Sequence, residues 1–325
     1  MRKKVILYKA IPLQERKRLD EIFDVTYFDS IDDSNRDAFF TALAETDGII
    51  GSSVEMSSNV LNKAPRLKAA STISVGTDQY DLDYLAKRNI PLMHTPDILN
   101  ETTADTIFTL IMCTARRAIE LSNMVREGRW IKSIGEEQYG TDVHGKTLGI
   151  IGMGRIGYAI AKRAHFGFNM PIHYSNRSQN EVAENDLNAT YMNMETLLKT
   201  SDFICVMAPL TAQTKHLIGE KEFALMKESA IFINGSRGKV IDESALIDAL
   251  TRGSIRAAGL DVFDIEPLPA NSPLCKLDNA VLFPHIGSAT AETRLNMVAC
   301  AVDNLIRALN GDLSKNCANK HLFNR

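Results

Sequence analysis

The run Thr147-Leu148-Gly149-Ile150-Ile151-Gly152-Met153-Gly154-Arg155-Ile156-Gly157 constrains this chain more than any other stretch. An apolar, β-branched segment leads into Gly-x-Gly-x-x-Gly, and an Ala-rich helical pattern from Tyr158 to Phe166 follows at once. Gly152 permits a tight turn out of the strand. Gly154 carries no side chain, so a pyrophosphate can approach the backbone. Gly157 lets the helix pack close to the sheet, and the helix N-terminus offers N–H groups and a positive dipole end to phosphates. The strand before and the helix after turn a weak motif into a predicted dinucleotide site.

A chain of 325 residues is too long for one small core and predicts about two domains. A net charge of −3 leaves no basic surplus for nucleic acid and no polybasic membrane patch. No apolar run reaches the roughly 18 residues that a membrane-spanning helix needs. The start, Met1-Arg2-Lys3-Lys4-Val5-Ile6-Leu7-Tyr8, reads as a first strand and not as a signal peptide. The five cysteines, Cys113, Cys205, Cys275, Cys300 and Cys317, are widely spaced and lack a Cys-x-x-Cys, which suits idle thiols in a reducing cytoplasm. Glycosylation-like triplets, among them those at Asn100, Asn188 and Asn234, then read as chance matches.

Short β-like runs alternate with helical ones. In the first hundred residues Val5–Tyr8, Gly48–Gly51, Leu67–Ile73 and Pro91–His94 read as strands, with helices predicted around Arg36–Glu45 and Asp81–Arg88. One long helix is predicted from Thr103 to about Glu127. Its apolar positions Ile107, Leu110, Ile111, Thr114, Ile119 and Leu121 are broad enough to face two partners, which predicts a homodimer. The alternation then restarts, with strands predicted at 147–151, 171–175, 203–208, 230–234, 257–262 and 280–283, the six that a dinucleotide fold wants. A last helix is predicted from Ala291 to Asn310, ended by Gly311. Pattern alone leaves open whether the tail joins the nucleotide domain or returns to the first one.

The second strand of a dinucleotide fold ends, about 20 residues after the glycines, in an acidic residue that accepts from the ribose of NAD. Here Pro171-Ile172-His173-Tyr174-Ser175 is followed by Asn176-Arg177-Ser178, with no carboxylate. Arg177 can pair with a 2′-phosphate, and Ser175 or Ser178 can donate to it. NADP(H) is the predicted preference over NAD(H).

Three further motifs end predicted strands: Asn234-Gly235-Ser236-Arg237-Gly238, Gly259-Leu260-Asp261-Val262-Phe263-Asp264-Ile265-Glu266-Pro267, and Phe283-Pro284-His285-Ile286-Gly287-Ser288-Ala289-Thr290. Ligands bind beyond the C-terminal ends of strands in open α/β sheets, so Arg237, Glu266 and His285 can form one constellation. With Ser74-Val75-Gly76 and Pro209-Leu210-Thr211-x-x-Thr214, these motifs resemble the D-isomer-specific 2-hydroxyacid dehydrogenase family along essentially the whole chain. Residues 139–157 and 164–171 are most similar to its bacterial glyoxylate/hydroxypyruvate reductase B group, also called 2-ketoaldonate reductases.

The resemblance implies an α/β fold of two doubly wound parallel-sheet domains. A Rossmann nucleotide domain, 103–288, would be inserted into a discontinuous flavodoxin-like substrate domain, 1–102 with 289–325. It implies reduction of small 2-oxo acids such as glyoxylate, hydroxypyruvate and 2-keto-D-gluconate. The catalytic group would be Arg237, Glu266 and His285. Arg155, Ile156, Pro209, Thr214, Asp261 and Thr102 would join the glycines and residues 175–178 around the cofactor. Ser74, Val75 and Gly76, with Arg237 and His285, would hold the substrate, the 75–76 backbone N–H groups taking its carboxylate.

The residue chemistry agrees with that implication. Imidazole titrates near neutral pH, so His285 suits a proton donor. Glu266 can orient it, and Arg237 can bind a carboxylate and a developing oxyanion. The alternative from another class is an NAD(P)-sensing, corepressor-like binding protein on the same fold. The remaining histidines, His144, His165, His173, His216 and His321, show no paired ligand spacing, and no metal is predicted. His94 ends a predicted strand and Lys9 follows one, both without an assigned role, and Trp130 reads as packing. Gln79 stands where the family commonly has Asn, which predicts an altered loop hydrogen bond.

Overall fold

The computed structural model describes residues 2–323. These fall into two compact units: the chain up to Leu99 together with everything from Thr290 on, and Asn100–Ala289.

The first unit opens with β1 (Lys4–Leu7), α1 (Leu13–Ile22), β2 (Asp24–Tyr27), α2 (Arg36–Leu43), β3 (Gly48–Gly51), α3 (Ser58–Leu61), β4 (Ala69–Thr72), α4 (Leu82–Lys87) and β5 (Leu92–Met93). The five strands are parallel in the order β2-β1-β3-β4-β5, the flavodoxin-like order. β3 and β4 are buried along their whole length, as strands covered by helices on both faces must be. At the edge, β2 is nowhere fully buried. Gly51 lies against the Tyr8 ring, where an added Cβ would come within 2.5 Å. The buried Tyr8 and Tyr80 hydroxyls hydrogen-bond to each other.

The second unit holds α5 (Asn100–Ala115), α6 (Ala118–Arg126), β6 (Leu148–Ile151), α7 (Arg155–Lys162), β7 (Ile172–Ser175), α8 (Glu181–Leu187), β8 (Thr190–Tyr191), α9 (Met194–Thr200), β9 (Phe203–Val206), α10 (Glu220–Leu225), β10 (Ile231–Asn234), α11 (Glu243–Arg252), β11 (Ala257–Leu260) and β12 (Ala280–Leu282). Seven parallel strands run in the order β12-β11-β10-β9-β6-β7-β8. The chain reverses its direction of growth at β6, so the switch point lies between β6 and β9. Successive strand residues feed opposite cores. Phe203, Cys205, Ile231 and Ile233 join Ile107, Leu110 and Ile160 on one face. Ile204, Val206 and Phe232 join Leu198, Phe223 and Leu246 on the other.

The chain then returns to the first unit in α12 (Ala291–Leu309). Thr290 caps it by accepting from the Thr293 N–H, and Gly311 follows its end at φ +86°. The Ser71 hydroxyl of β4 donates to the Ala301 carbonyl of α12 at 2.8 Å.

Several expectations need correction. The helix predicted over 103–127 is two helices, because Arg117 sits in the left-handed region at φ +53°. The Thr141 N–H takes the Ala115 carbonyl at 2.7 Å, and Arg117 holds Glu120 through both carboxylate oxygens. α5 buries eight residues, whereas α6 buries none, so Ile119 and Leu121 are not core. The second sheet has a seventh strand, β8, only two residues long. In the first unit β2 and α1 join the elements predicted.

Phe232 is fully buried and meets Phe223 edge-on at 5.2 Å between ring centroids. Phe232→Ala is expected to destabilise the second unit by about 3–5 kcal/mol. Chemical denaturation followed by far-UV circular dichroism reads this directly, and an unchanged midpoint would refute the placement of Phe232 in the core.

Candidate active site

The glycine turn follows β6 at the C-terminal edge of the second sheet. Gly152 adopts φ +103°, and a Cβ there would lie 2.6 Å from the Ala208 nitrogen. A Cβ on Gly157 would lie 2.5 Å from the Gly152 carbonyl oxygen. Nothing within 4 Å would meet a Cβ on Gly154, which caps α7. Two glycines are therefore required by the protein's own packing, whereas Gly154 opens outward beside the first turn of α7. The N–H groups of such a turn have no carbonyl within their helix to bind. This cradle fits a dinucleotide pyrophosphate.

The next strand is tied to the turn, since the Gly152 N–H donates to the Ser175 carbonyl at 3.0 Å. Ser175 and Asn176 are half-buried, and Arg177 and Ser178 are exposed. No carboxylate occurs from Ser175 to Asn180. Glu184, on α8, is engaged by the Tyr174 hydroxyl at 2.7 Å. After β9, the Thr214 hydroxyl donates to the Pro209 carbonyl and accepts from the Thr211 N–H at 2.8 Å, closing a turn. Thr102 lies half-buried in the first turn of α5.

Arg237 follows β10 and is held by its loop. Buried Asn234 donates to the Arg237 carbonyl at 3.0 Å and accepts from the Ser236 N–H at 3.1 Å. The flanking glycines sit where no Cβ fits: one on Gly235 would fall 2.1 Å from Ile107 Cδ1, and one on Gly238 would fall 1.9 Å from the Phe263 carbonyl. The Arg237 guanidinium also donates to the Ser236 carbonyl at 2.8 Å.

His285 follows β12, in the left-handed region at φ +52°. Such a conformation costs a residue with a Cβ about 1–2 kcal/mol, and here the surroundings impose it. Asp261, only 2% exposed, accepts from the Ile286 N–H at 2.7 Å and from the Gly287 N–H at 2.9 Å. Burial pushes the Asp261 carboxyl up, against the pull of those two donors and of the nearby His285 charge. Its two oxygens thus anchor the loop that carries His285, a role that sequence reasoning missed.

Glu266 meets His285 Nδ1 through Oε2 at 2.7 Å and accepts from the Phe263 N–H through Oε1 at 3.0 Å. Burial works against its charge. The His285 hydrogen bond, the Phe263 N–H and the charges of His285 and Arg237 outweigh it, and the Glu266 carboxyl lies below its usual range. A carboxyl lowered in this way is ionised above that lowered value and loses its anion only as pH falls through it. Around neutrality Glu266 is a carboxylate.

Along the strand order β12-β11-β10-β9-β6-β7, His285, Asp261 with Glu266, Arg237, Pro209, the glycine turn and Ser175 occupy successive strand ends on one edge. Ser74, Val75 and Gly76 lie in the first unit, half-buried after β4. Gln79 donates there to the Thr72 hydroxyl at 3.1 Å. Trp130 and Ile131, after α6, are exposed. Among the described residues no group of three His, Cys, Asp or Glu side chains is placed to hold a metal ion.

The model of the D-isomer specific 2-hydroxyacid dehydrogenase NAD binding domain matches residues 108–287. The chain belongs to the D-isomer specific 2-hydroxyacid dehydrogenase family, a family of oxidoreductases that use a nicotinamide cofactor. It is similar to the glyoxylate/hydroxypyruvate reductase B of Enterobacter sp. (strain 638), at 54% identity over 99% of both chains. Among solved structures it is similar to a protein from Thermus thermophilus, at 36% identity and a TM-score of 0.88 over 97% of this chain and 99% of that one. It is also similar to an NADPH-dependent glyoxylate/hydroxypyruvate reductase from Sinorhizobium meliloti, solved with NADP and malonate. That match has 30% identity and a TM-score of 0.87 over 98% of each chain.

Proposed function

We propose that this chain reduces small 2-oxo acids, namely glyoxylate, hydroxypyruvate and 2-keto-D-gluconate, to D-2-hydroxy acids with NADPH. The observation that carries the reading is the Glu266–His285 pair, set on the same sheet edge as Arg237 and the glycine turn. The names of the relatives, glyoxylate/hydroxypyruvate reductase B, support the substrate class. The three acids share the carboxylate–ketone head that these residues suit and differ only in the tail.

Residues 103–288 are assigned to the nucleotide and 1–102 with 289–325 to the substrate. The bound cofactor supplies the hydride that reaches the ketone carbon. His285 delivers a proton to the ketone oxygen as negative charge builds there. Glu266 holds the ring through Nδ1, so the proton is given from Nε2. Arg237 binds the substrate carboxylate and stabilises the developing oxyanion. The main-chain N–H groups of Val75 and Gly76 are assigned to a substrate carboxylate, and Asp261 keeps the His285 loop in place. Five free thiols suit a cytoplasmic setting.

His285→Ala is expected to lower turnover by about two to four orders of magnitude while NADPH binding is nearly unchanged. Glu266→Gln removes the carboxylate that holds the ring through Nδ1, so turnover should fall by about tenfold or more. Substantial activity in His285→Ala, together with undiminished turnover in Glu266→Gln, would exclude this pair.

The NADPH preference rests on Arg177 and on the absence of a carboxylate from Ser175 to Asn180. Arg177→Asp removes a phosphate partner and adds a like charge. It should cost roughly 2–4 kcal/mol in NADPH over NADH discrimination. Equal effects on kcat/KM for the two cofactors would show that Arg177 does not meet the 2′-phosphate.

We also propose a homodimer joined through the second unit. Ile119, Val125, Trp130, Ile131, Ile134 and Tyr139, on α6 and the chain after it, are all exposed, with Ile131 at 88%. So much apolar surface in one segment marks an interface, and a second copy of the chain is the occupant assigned. Sedimentation of the protein as a monomer at micromolar concentration would rule this out.

A further inference from the structure

We infer that His94 is a positioning residue for the substrate carboxylate, acting through the direction of a single peptide plane; this rests on the 2-oxo-acid reading above. β4 and β5 are neighbouring parallel strands, so the loop after Thr72 and the residues after Met93 emerge side by side. The His94 ring nitrogen Nδ1 lies 3.1 Å from the Val75 carbonyl oxygen. A carbonyl can only accept, so Nδ1 carries the hydrogen. One residue further, the Thr95 N–H donates to the Ser74 carbonyl at 2.9 Å. The Ser74 hydroxyl donates to the Gly76 carbonyl. Three consecutive carbonyls of the loop are thus tied down by named donors.

A trans peptide is planar, and its N–H points opposite to its carbonyl. Pinning the Ser74 carbonyl therefore directs the Val75 N–H away from Thr95, and pinning the Val75 carbonyl directs the Gly76 N–H away from His94. Neither N–H meets an acceptor among the described residues. Two successive N–H groups left unpaired by bound carbonyls form a concavity for an anion, and a carboxylate has two oxygens to receive them.

The His94 ring is itself held from behind. Its main-chain N–H donates to the Asn316 carbonyl at 3.0 Å, and its carbonyl accepts from the side chain of buried Asn304 in α12 at 2.8 Å. The Asn316 side chain in turn donates to Asn304 at 3.0 Å. This clamp gives the buried polar Asn304 a purpose that packing alone does not.

The test compares His94→Leu with His94→Asn. The two replacements match in shape and differ in the donor, since the Asn amide nitrogen can stand where Nδ1 does. The Thr95 N–H still pins the other plane, so only one of the two donors is released in His94→Leu. Loss of one neutral hydrogen bond corresponds to an increase of about three- to tenfold in KM for glyoxylate. Because the carboxylate is held equally in ground and transition states, kcat should stay within about twofold, and KM for NADPH should not move. His94→Asn should restore KM to near the wild-type value. Melting temperatures of the two variants should agree. A KM unchanged in His94→Leu, or an Asn variant no better than the Leu variant, would overturn the inference. A wild-type protein that oxidises no NADPH with glyoxylate, hydroxypyruvate or 2-keto-D-gluconate would instead overturn the reductase reading, before any variant is made.

Discussion

Parallel strand pairing is the constraint on which the rest of this molecule depends. When every strand of a sheet runs the same way, every C-terminal end lies on one edge, and each return must cross over as a helix. Residues as far apart in the chain as Gly152, Arg237, Glu266 and His285 thereby reach one edge of the second sheet. The same rule in the first unit sets the 74–76 loop beside His94, through the pairing of β4 with β5. The price is burial on both faces, which the fully buried β6, β9 and β10 meet.

At that edge the backbone matters as much as the side chains. Gly235 and Gly238 bracket Arg237 where no Cβ could stand, so the loop has little room to shift. The two carboxyl oxygens of buried Asp261 each accept a main-chain N–H, and they fix the loop that carries His285. Glu266 divides its oxygens between the Phe263 N–H and His285, which keeps it charged despite partial burial. Preorganisation of this kind is what the proton-donor role proposed for His285 requires.

Much of this was legible in the chain. The glycine turn, the apolar strands and the motifs at strand ends follow local rules of period and turn chemistry, and β3 lies at the predicted residues. What was not legible had non-local causes. Nothing between Thr103 and Glu127 marks a helix break, because neither Gly nor Pro interrupts it until Gly128. The break at Arg117 exists because residues 140–141 cross the end of α5 and take its carbonyl. β2 is an edge strand with no buried residue, and β8 is two exposed residues long, so neither carries an apolar run to read. The anchoring role of Asp261 was equally hidden, since its partners Ile286 and Gly287 come from a different strand end.

By itself the sequence determined the parallel α/β class, the glycine turn and the place of Arg237, Glu266 and His285 just beyond strand ends. Those depend on residue type and spacing within a few positions, which sterics and turn chemistry make local. Only the tertiary structure decided that His285 meets Glu266 through Nδ1, that Asp261 holds the loop just after His285 and that His94 grips the Val75 carbonyl. Each of these is a hydrogen bond between segments joined by strand register, and register across a sheet is set by the packing of the whole fold and not by any one stretch of chain.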